Sequence, residues 1–181
     1  MDAITNSECA LLSMLCEKPM YGYEIEKAIE DRNMRYWTEV SFFSIYRLLK
    51  KLEGKGLAES EIRLGKNNVS QKVYSVTGVG RMVTKGKIME NISEAERIIC
   101  RVDLSVANIS LLTKEEAVGC LRRYVASLDG MIGDYDALES FFRAHGYPET
   151  DLALAIRPRM HLITERVWAI DFLSVIGRTE L

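Results

Sequence analysis

Five side chains in one short run, SFFSIYRLLKKLEGKGL at 41–57, are of types that could act together on one ligand. Placed on a helix at about 100° per residue, Phe43, Tyr46, Arg47, Lys50 and Lys51 fall on one side. Ile45, Leu48, Leu49 and Leu52 fall on the other, with Phe42 at the edge. The first set holds a guanidinium fork, two ammonium groups, a phenol and an apolar ring. Ser41 and Ser44 stand at the N-terminal end, where backbone N–H groups are free. Donors and apolar groups near a helix N-terminus, with cations behind them, suit the base edges and phosphates of a duplex groove. Arg47 fits guanine O6 and N7. Lys50 and Lys51 fit phosphates and would make binding salt-dependent. Tyr46 either donates to a phosphate or packs on the preceding helix, and Lys51 is either a phosphate contact or a solvated lysine. Phe43 either meets thymine methyl groups or covers a neighbouring side chain.

Other chemistries find little support. The histidines are His145 and His161, and no HExxH, GxSxG, P-loop or GxGxxG run occurs. We expect no catalytic residue, no enzyme activity, no bound metal and no cofactor. The cysteines are Cys9, Cys16, Cys100 and Cys120, at spacings that match no zinc ribbon, CxxC or disulfide framework. They read as reduced, mostly buried thiols, with a redox switch as the other reading.

Net charge sharpens the first reading. The chain totals −2, yet residues 41–87 carry 10 Lys/Arg against 3 Asp/Glu, a net of +7. The flanks are acidic: residues 1–40 net −4 and residues 88–181 net −5. A basic block between acidic flanks is the footprint of a polyanion-binding surface, or else a solvated charged face. No run of about 18 apolar residues occurs, so no membrane partner is expected. The N-terminus lacks a basic signal region, and the expected location is the cytoplasm, at the nucleoid when bound to DNA.

These side chains must be held by something. Thr5 and Glu8 form a capping box ahead of the apolar run Cys9, Leu11, Leu12, Leu15 and Cys16, and Pro19 ends this first helix. A second helix runs from near Tyr21-Gly22 to about Asp31, with Ile25, Ala28 and Ile29 inward. Ser41 caps the third, 42–54, and Gly54 and Gly56 stop it. Leu57, Ile62 and Leu64 mark one strand, and Val73, Tyr74 and Val76 a second, around the polar turn GKNN. Three helices followed by a hairpin make a winged helix-turn-helix. Its wing tip, Lys66, Asn67, Asn68 and Lys72, either lies along a phosphate backbone or is solvated. In such a motif the first of the paired helices crosses the backbone, so Gly22 could bring bare N–H groups to a phosphate. Tyr21 or Tyr23 adds a hydroxyl, or packs toward the first helix and Trp37.

Thr77 caps a further helix, and a linking helical stretch covers roughly 93–109. Then Ala117, Leu121, Tyr124, Leu128, Met131, Tyr135, Leu138 and Phe142 recur at spacings alternating between 4 and 3, a heptad seam over 114–144. Such a helix is about 45 Å long. Gly146 and Pro148 end it. The last segment, 150–177, has one seam of Ile156, Met160, Ile163, Val167 and Ile170, and a second stripe of Trp168, Phe172 and Val175. Pro158 should kink or divide it. The fold expected is mainly α with a small β-hairpin: a winged helix-turn-helix at 1–90, a linking helix at 91–112, and a long-helix antiparallel coiled-coil dimerisation domain at 113–181. The alternative is a self-contained helical hairpin. Residues assigned to dimerisation are Leu121, Tyr124, Leu128, Met131, Tyr135, Leu138, Ile163, Val167, Trp168 and Phe172. Met160, Trp168 and Phe172 could line an effector cavity at that interface, though such residues at helical spacing also make ordinary core.

Taken in order, YGYEIEKAI, SIYRLLKKLEGKGL and VYSVTGVGR resemble the PadR family of transcriptional regulators over roughly residues 7–90. The acidic, heptad-bearing remainder, with ERVWAIDFL, resembles the subgroup with a long helical dimerisation domain. The resemblance implies a homodimer on palindromic operator DNA, more often repressing than activating. It also implies, for some members, a small-molecule effector near the dimer interface. It gives Tyr46 as the recognition-helix tyrosine, Gly22 as the glycine opening the second helix, and Lys66 and Lys72 as wing positions. Phe42 and Phe43 depart from the small or polar residues many members carry there. This implies either a different operator sequence or no base readout at that end. The alternative function is a winged-helix protein-interaction module that does not bind DNA.

Overall fold

The computed structural model describes residues 3–64 and 70–178, and the chain divides into two compact units, Met1–Arg97 and Ile98–Leu181. The first unit runs α1 (Asn6–Glu17), β1 (Met20–Tyr21), α2 (Gly22–Asp31), a 3-10 turn, α3 (Phe42–Gly54), β2 (Ala58–Leu64), β3 (Ser70–Val76) and α4 (Gly78–Ser93). The capping box forms: the Glu8 N–H donates to Thr5 Oγ1 at 3.2 Å and the Thr5 N–H to Glu8 Oε2 at 2.8 Å. Leu11, Leu12, Met14 and Leu15 of α1 meet Ile25 and Ile29 of α2 and Ile45, Leu49 and Leu52 of α3 in one buried core. Each such side chain contributes about 1.5–3 kcal/mol by leaving water.

The sheet has three strands in the order β1-β3-β2, antiparallel throughout, where the sequence predicts a two-stranded hairpin. The extra strand is Met20–Tyr21, paired with Tyr74 and Val73. Two residues after a proline show no alternation, so periodicity cannot mark them. The long pair runs from Ala58 opposite Val76 to Leu64 opposite Ser70.

Gly80 shows how tightly α4 is docked. A Cβ there would lie 1.9 Å from the Leu57 carbonyl oxygen. That carbonyl already accepts the Thr77 N–H at 3.1 Å and the Thr77 hydroxyl at 3.2 Å, while Thr77 Oγ1 caps α4 by accepting the Gly80 N–H at 3.0 Å. The clash is with backbone, so G80A should destabilise the unit by about 3 kcal/mol, read as a lower urea midpoint.

In the second unit α5 (Arg101–Ala107) and a 3-10 turn precede α6 (Lys114–Ala144) and α7 (Glu149–Arg178). The expected linking helix at 93–109 is interrupted: α4 ends at Ser93 and helix resumes at Arg101. Residues 94–97, Glu-Ala-Glu-Arg, offer no apolar stripe, and Ile98 and Ile99 are exposed. Gly146, at φ 68°, takes the left-handed turn that ends α6, as its type predicts.

Pro158 does not divide α7, which is one helix over its length. Proline removes one N–H from the ladder, and buried Leu152 and Ala155 before it and Ala169 and Ile176 after it hold the turns in place.

The α6–α7 pair is antiparallel. Ala117 and Leu121 near the start of α6 pack with Ile176 near the end of α7, Asp129 meets Arg166, and Asp136 meets Arg159, the order reversing from one helix to the other. The seam of α7 facing inward is not the one expected. Leu152, Ala155, Arg159, Leu162, Arg166, Ala169, Leu173 and Ile176 form a heptad repeat in the buried and half-buried positions. Met160, Ile163, Val167 and Ile170 are left exposed. Hydrophobicity alone misleads here because two inward positions are arginines. Arg159 is held by Asp136 at 2.5 Å and Glu139 at 2.7 Å, and Arg166 by Asp129.

A cationic helix face braced by two carboxylates

Helix α3 buries Ile45, Leu48, Leu49 and Leu52 and turns Phe43, Tyr46, Arg47 and Lys50 outward, as the angular count predicts. Ser41 precedes its first turn, but the cap is made by Ser44. The Ser44 hydroxyl accepts the Ser41 N–H at 3.0 Å and donates to the Ser41 carbonyl at 2.7 Å. The Ser41 side chain stays exposed.

Gly22 is buried, and the reason is Tyr46. A Cβ at position 22 would lie 2.5 Å from the Tyr46 ring. The glycine therefore lets the ring of α3 lie on the start of α2, and Tyr46 keeps 50% of its surface exposed. Packing and exposure, the two uses weighed for Tyr46, coexist. Of the neighbouring tyrosines, Tyr21 is half-buried in the sheet and Tyr23 exposed, their rings stacked at 6.4 Å. The Tyr21 N–H donates to Glu24 Oε2 at 3.1 Å.

The cations of the basic block divide into two groups. Lys51 and Lys55 reach Glu8 Oε1 of α1 at 3.1 and 3.0 Å. Lys72 reaches Glu53 Oε2 at 2.7 Å and lies 5.1 Å from the centre of the Tyr74 ring. Ser60 donates to the other oxygen of Glu53 at 2.5 Å. Sequence reading weighs phosphate contact against solvation for Lys51 and for Lys72; the structure gives each a carboxylate of its own chain. Among the described residues, Arg47 and Lys50 form no salt bridge, though the Glu53 carboxyl, held down first by Lys72, also feels Lys50. Lys66, Asn67 and Asn68 lie outside the described residues.

Glu8 is the residue sequence reading missed in this role, because a carboxylate in a capping box already has a local use. Its side chain is fully buried. Burial pushes its carboxyl up, but the Thr5 N–H and the Lys55 and Lys51 ammoniums outweigh that and bring it down to about 2. A depressed carboxylate supports the fold above its ordinary 4.5 and loses that support as pH falls toward 2. Stability to urea should therefore fall between those values. E8Q should reduce that slope, leaving the part that Glu17 and Glu53 contribute through Arg32 and Lys72, and cost about 2 kcal/mol at neutral pH, since Lys55 loses its charged partner.

In the second unit the seam residues Leu121, Leu128 and Leu138 are buried within the chain itself, which corrects their assignment to a dimer face. The Tyr124 hydroxyl donates to Glu165 Oε1 at 2.9 Å, and burial, then Glu165, pushes it up to about 12. Tyr135 is half-buried. On α6 and α7 the exposed apolar residues include Met131, Phe141, Met160, Ile163, Val167, Trp168, Ile170 and Val175, while Ile99, Leu104 and Leu111 are exposed ahead of α6.

The three residues given to an effector cavity are not brought together. Trp168 and Phe172 stack at 5.3 Å, and Phe172 packs on Ala117, Leu121 and Ile176. Met160 lines a separate 420 Å³ groove with Ile156, Arg157 and His161. A 770 Å³ cleft lies elsewhere, between Val102, Val106, Ile109, Leu121 and Tyr124, with Cys100 and Cys120 on its wall. All four cysteines are free, as expected, but Cys100 and Cys120 are exposed rather than buried. Among the described residues no helix is long and apolar enough to cross a membrane.

Comparison with known proteins agrees with this geometry. Residues 11–85 match the sequence model of the transcriptional regulator PadR-like family. No match is found among curated proteins. Among solved structures, Bacillus subtilis PadR in complex with operator DNA superposes with a TM-score of 0.76 at 17% identity, over 93% of this chain and 98% of that one. The Vibrio cholerae virulence activator AphA gives 0.73 at 18%, over 95% and 98%. Bacillus subtilis PadR in complex with p-coumaric acid gives 0.73 at 18%, over 94% and 98%. At such identities the likeness is one of fold, and it covers both the winged helix and the long helix pair. Over residues 11–85 the chain is thus similar in sequence to the transcriptional regulator PadR-like family, and over nearly its whole length it is similar in fold to these solved structures.

Proposed function

We propose that the chain is a homodimeric transcriptional repressor that places α3 in the major groove of a palindromic operator. The observation that carries this is the outward face of α3. There, among the described residues, Arg47 and Lys50 form no salt bridge, beside Tyr46 and Phe43 and behind the N-terminal turn. In this reading Arg47 reads a guanine, and Lys50 and Tyr46 hold phosphates. Ser41 meets the backbone at the helix entrance. Lys51 and Lys72 act indirectly, by fixing α3 against α1 and the wing stem. The wing tip, Lys66, Asn67 and Asn68, follows the adjacent phosphates.

The dimer forms through the second heptad seam of α7, Met160, Ile163, Val167 and Ile170, with Met131, Trp168 and Val175 extending it. Such a stripe on one 30-residue helix is an association surface, not scattered exposure. Two-fold symmetry then sets half-sites about one helical turn, or a multiple, apart. The Trp168–Phe172 stack, beside that seam, is where a small aromatic effector would enter. Met160, about 12 Å along the helix, is not part of that site.

The testing experiment is selection of bound fragments from a genomic pool, followed by mobility shift at two salt concentrations. One recovered inverted-repeat sequence, bound less tightly at higher salt, supports the reading. Recovery of no preferred sequence, with no shift at either salt, sinks it and leaves a protein-interaction module.

A further inference from the structure

The cationic face of α3 holds one group that no cation explains. Phe43, second residue of the helix, is 89% exposed. It shares the face with Arg47 and Lys50, one and two turns further on. Phe42 meets its ring edge-on, at 5.7 Å and 84°, and in turn meets Tyr46 at 6.3 Å and 79°. Phe43 thus covers nothing, and Phe42 props it from one side. Ser41, Ser44 and Arg47, its other neighbours on the first turns, are polar or charged.

We propose that Phe43 is a specificity-determining residue that recognises thymine through its 5-methyl group. The inference rests on the DNA-binding reading above. The first turn of a recognition helix is the part that meets base edges. A phenyl ring has no donor or acceptor for the polar pattern of those edges. The thymine methyl is the one apolar group that the four bases present in the major groove. With Arg47 and Lys50 further along the same face, the ring is carried to the groove floor by contacts it does not itself make. Thymine at one fixed place in each half-site is the expected result, and the same methyl on cytosine would serve equally.

The test removes the 5-methyl group of thymine and nothing else. A duplex selected from a random-sequence pool is resynthesised with deoxyuridine in place of every thymidine. Wild-type protein should bind it roughly three- to fivefold more weakly per half-site, about tenfold or more over two, as expected for one buried methyl-sized group. F43A should bind the two duplexes alike, with the affinity wild type shows for the uracil form. The exposed ring leaves the core untouched, so F43A should keep the wild-type melting curve. Equal wild-type binding to both duplexes overturns the proposal while leaving DNA binding intact. So does an F43A protein that still prefers thymine. Failure of wild type to bind any duplex overturns the proposal together with the reading beneath it.

Discussion

Replacing Arg47 and Lys50 together by alanine should weaken operator binding at least a hundredfold near 0.1 M salt, with no change in folding. The two side chains are exposed and form no salt bridge among the described residues, and Glu53, which feels Lys50, keeps Lys72, so their removal leaves nothing stranded in the protein. A bidentate arginine on guanine is worth about 1–3 kcal/mol of discrimination, and a dimer makes two such contacts. Each lysine taken from a phosphate should lower the slope of log affinity against log salt by about 1. The double variant should therefore bind more weakly and with a visibly shallower slope. Titration by fluorescence anisotropy at four salt concentrations measures both. Unchanged affinity and slope would mean that α3 presents the wrong face. K51A should behave differently, losing stability through Glu8 while keeping most of the salt slope.

The second large effect concerns assembly. I163E with V167E places two carboxylates per chain in the open seam of α7, four across a two-fold axis. Each lost apolar contact costs about 1.5–3 kcal/mol, so the dimer should weaken by at least about 6 kcal/mol, or more than ten-thousandfold. Sedimentation equilibrium at micromolar concentration should show a monomer with unchanged helical circular dichroism, because neither residue faces α6. Operator affinity should collapse with it, since two half-sites would no longer be held by one particle. A variant that stays dimeric shows that this seam faces solvent in the assembly.

How far the residues announced all this varies along the chain. The winged helix was legible because its signals are local. The Thr5–Glu8 box, the i, i+3, i+4 spacing of Ile45, Leu48, Leu49 and Leu52, and the glycines after α3 each act within a turn or two. Strand β1 was not legible, since Met20–Tyr21 is a strand only through Tyr74 and Val73, more than fifty residues away. The same holds for the second uses of Glu8 and Glu53, whose lysines arrive from other elements. The reason for Gly22 was legible in kind, a close approach, but Tyr46, the group that makes it within the chain, was not. In the C-terminal unit the heptads of α6 were clear. On α7 two heptads overlap one residue apart, and hydrophobicity alone favours the outward one. The inward one contains Arg159 and Arg166, which count as core only once their acidic partners are in view.

Those two arginines have a consequence for how the hairpin can be altered. A purely leucine-lined pair can slide by seven residues and still bury oil against oil. Here a slide of seven would keep one arginine on an aspartate but set the other against a cation: Arg159 on Asp129 with Arg166 facing Arg122, or Arg166 on Asp136 with Arg159 facing Arg143. The guanidiniums thus act as locating pins that admit a single vertical alignment of the two rods. Whole-heptad deletions should therefore be tolerated only when made in both rods at the same level.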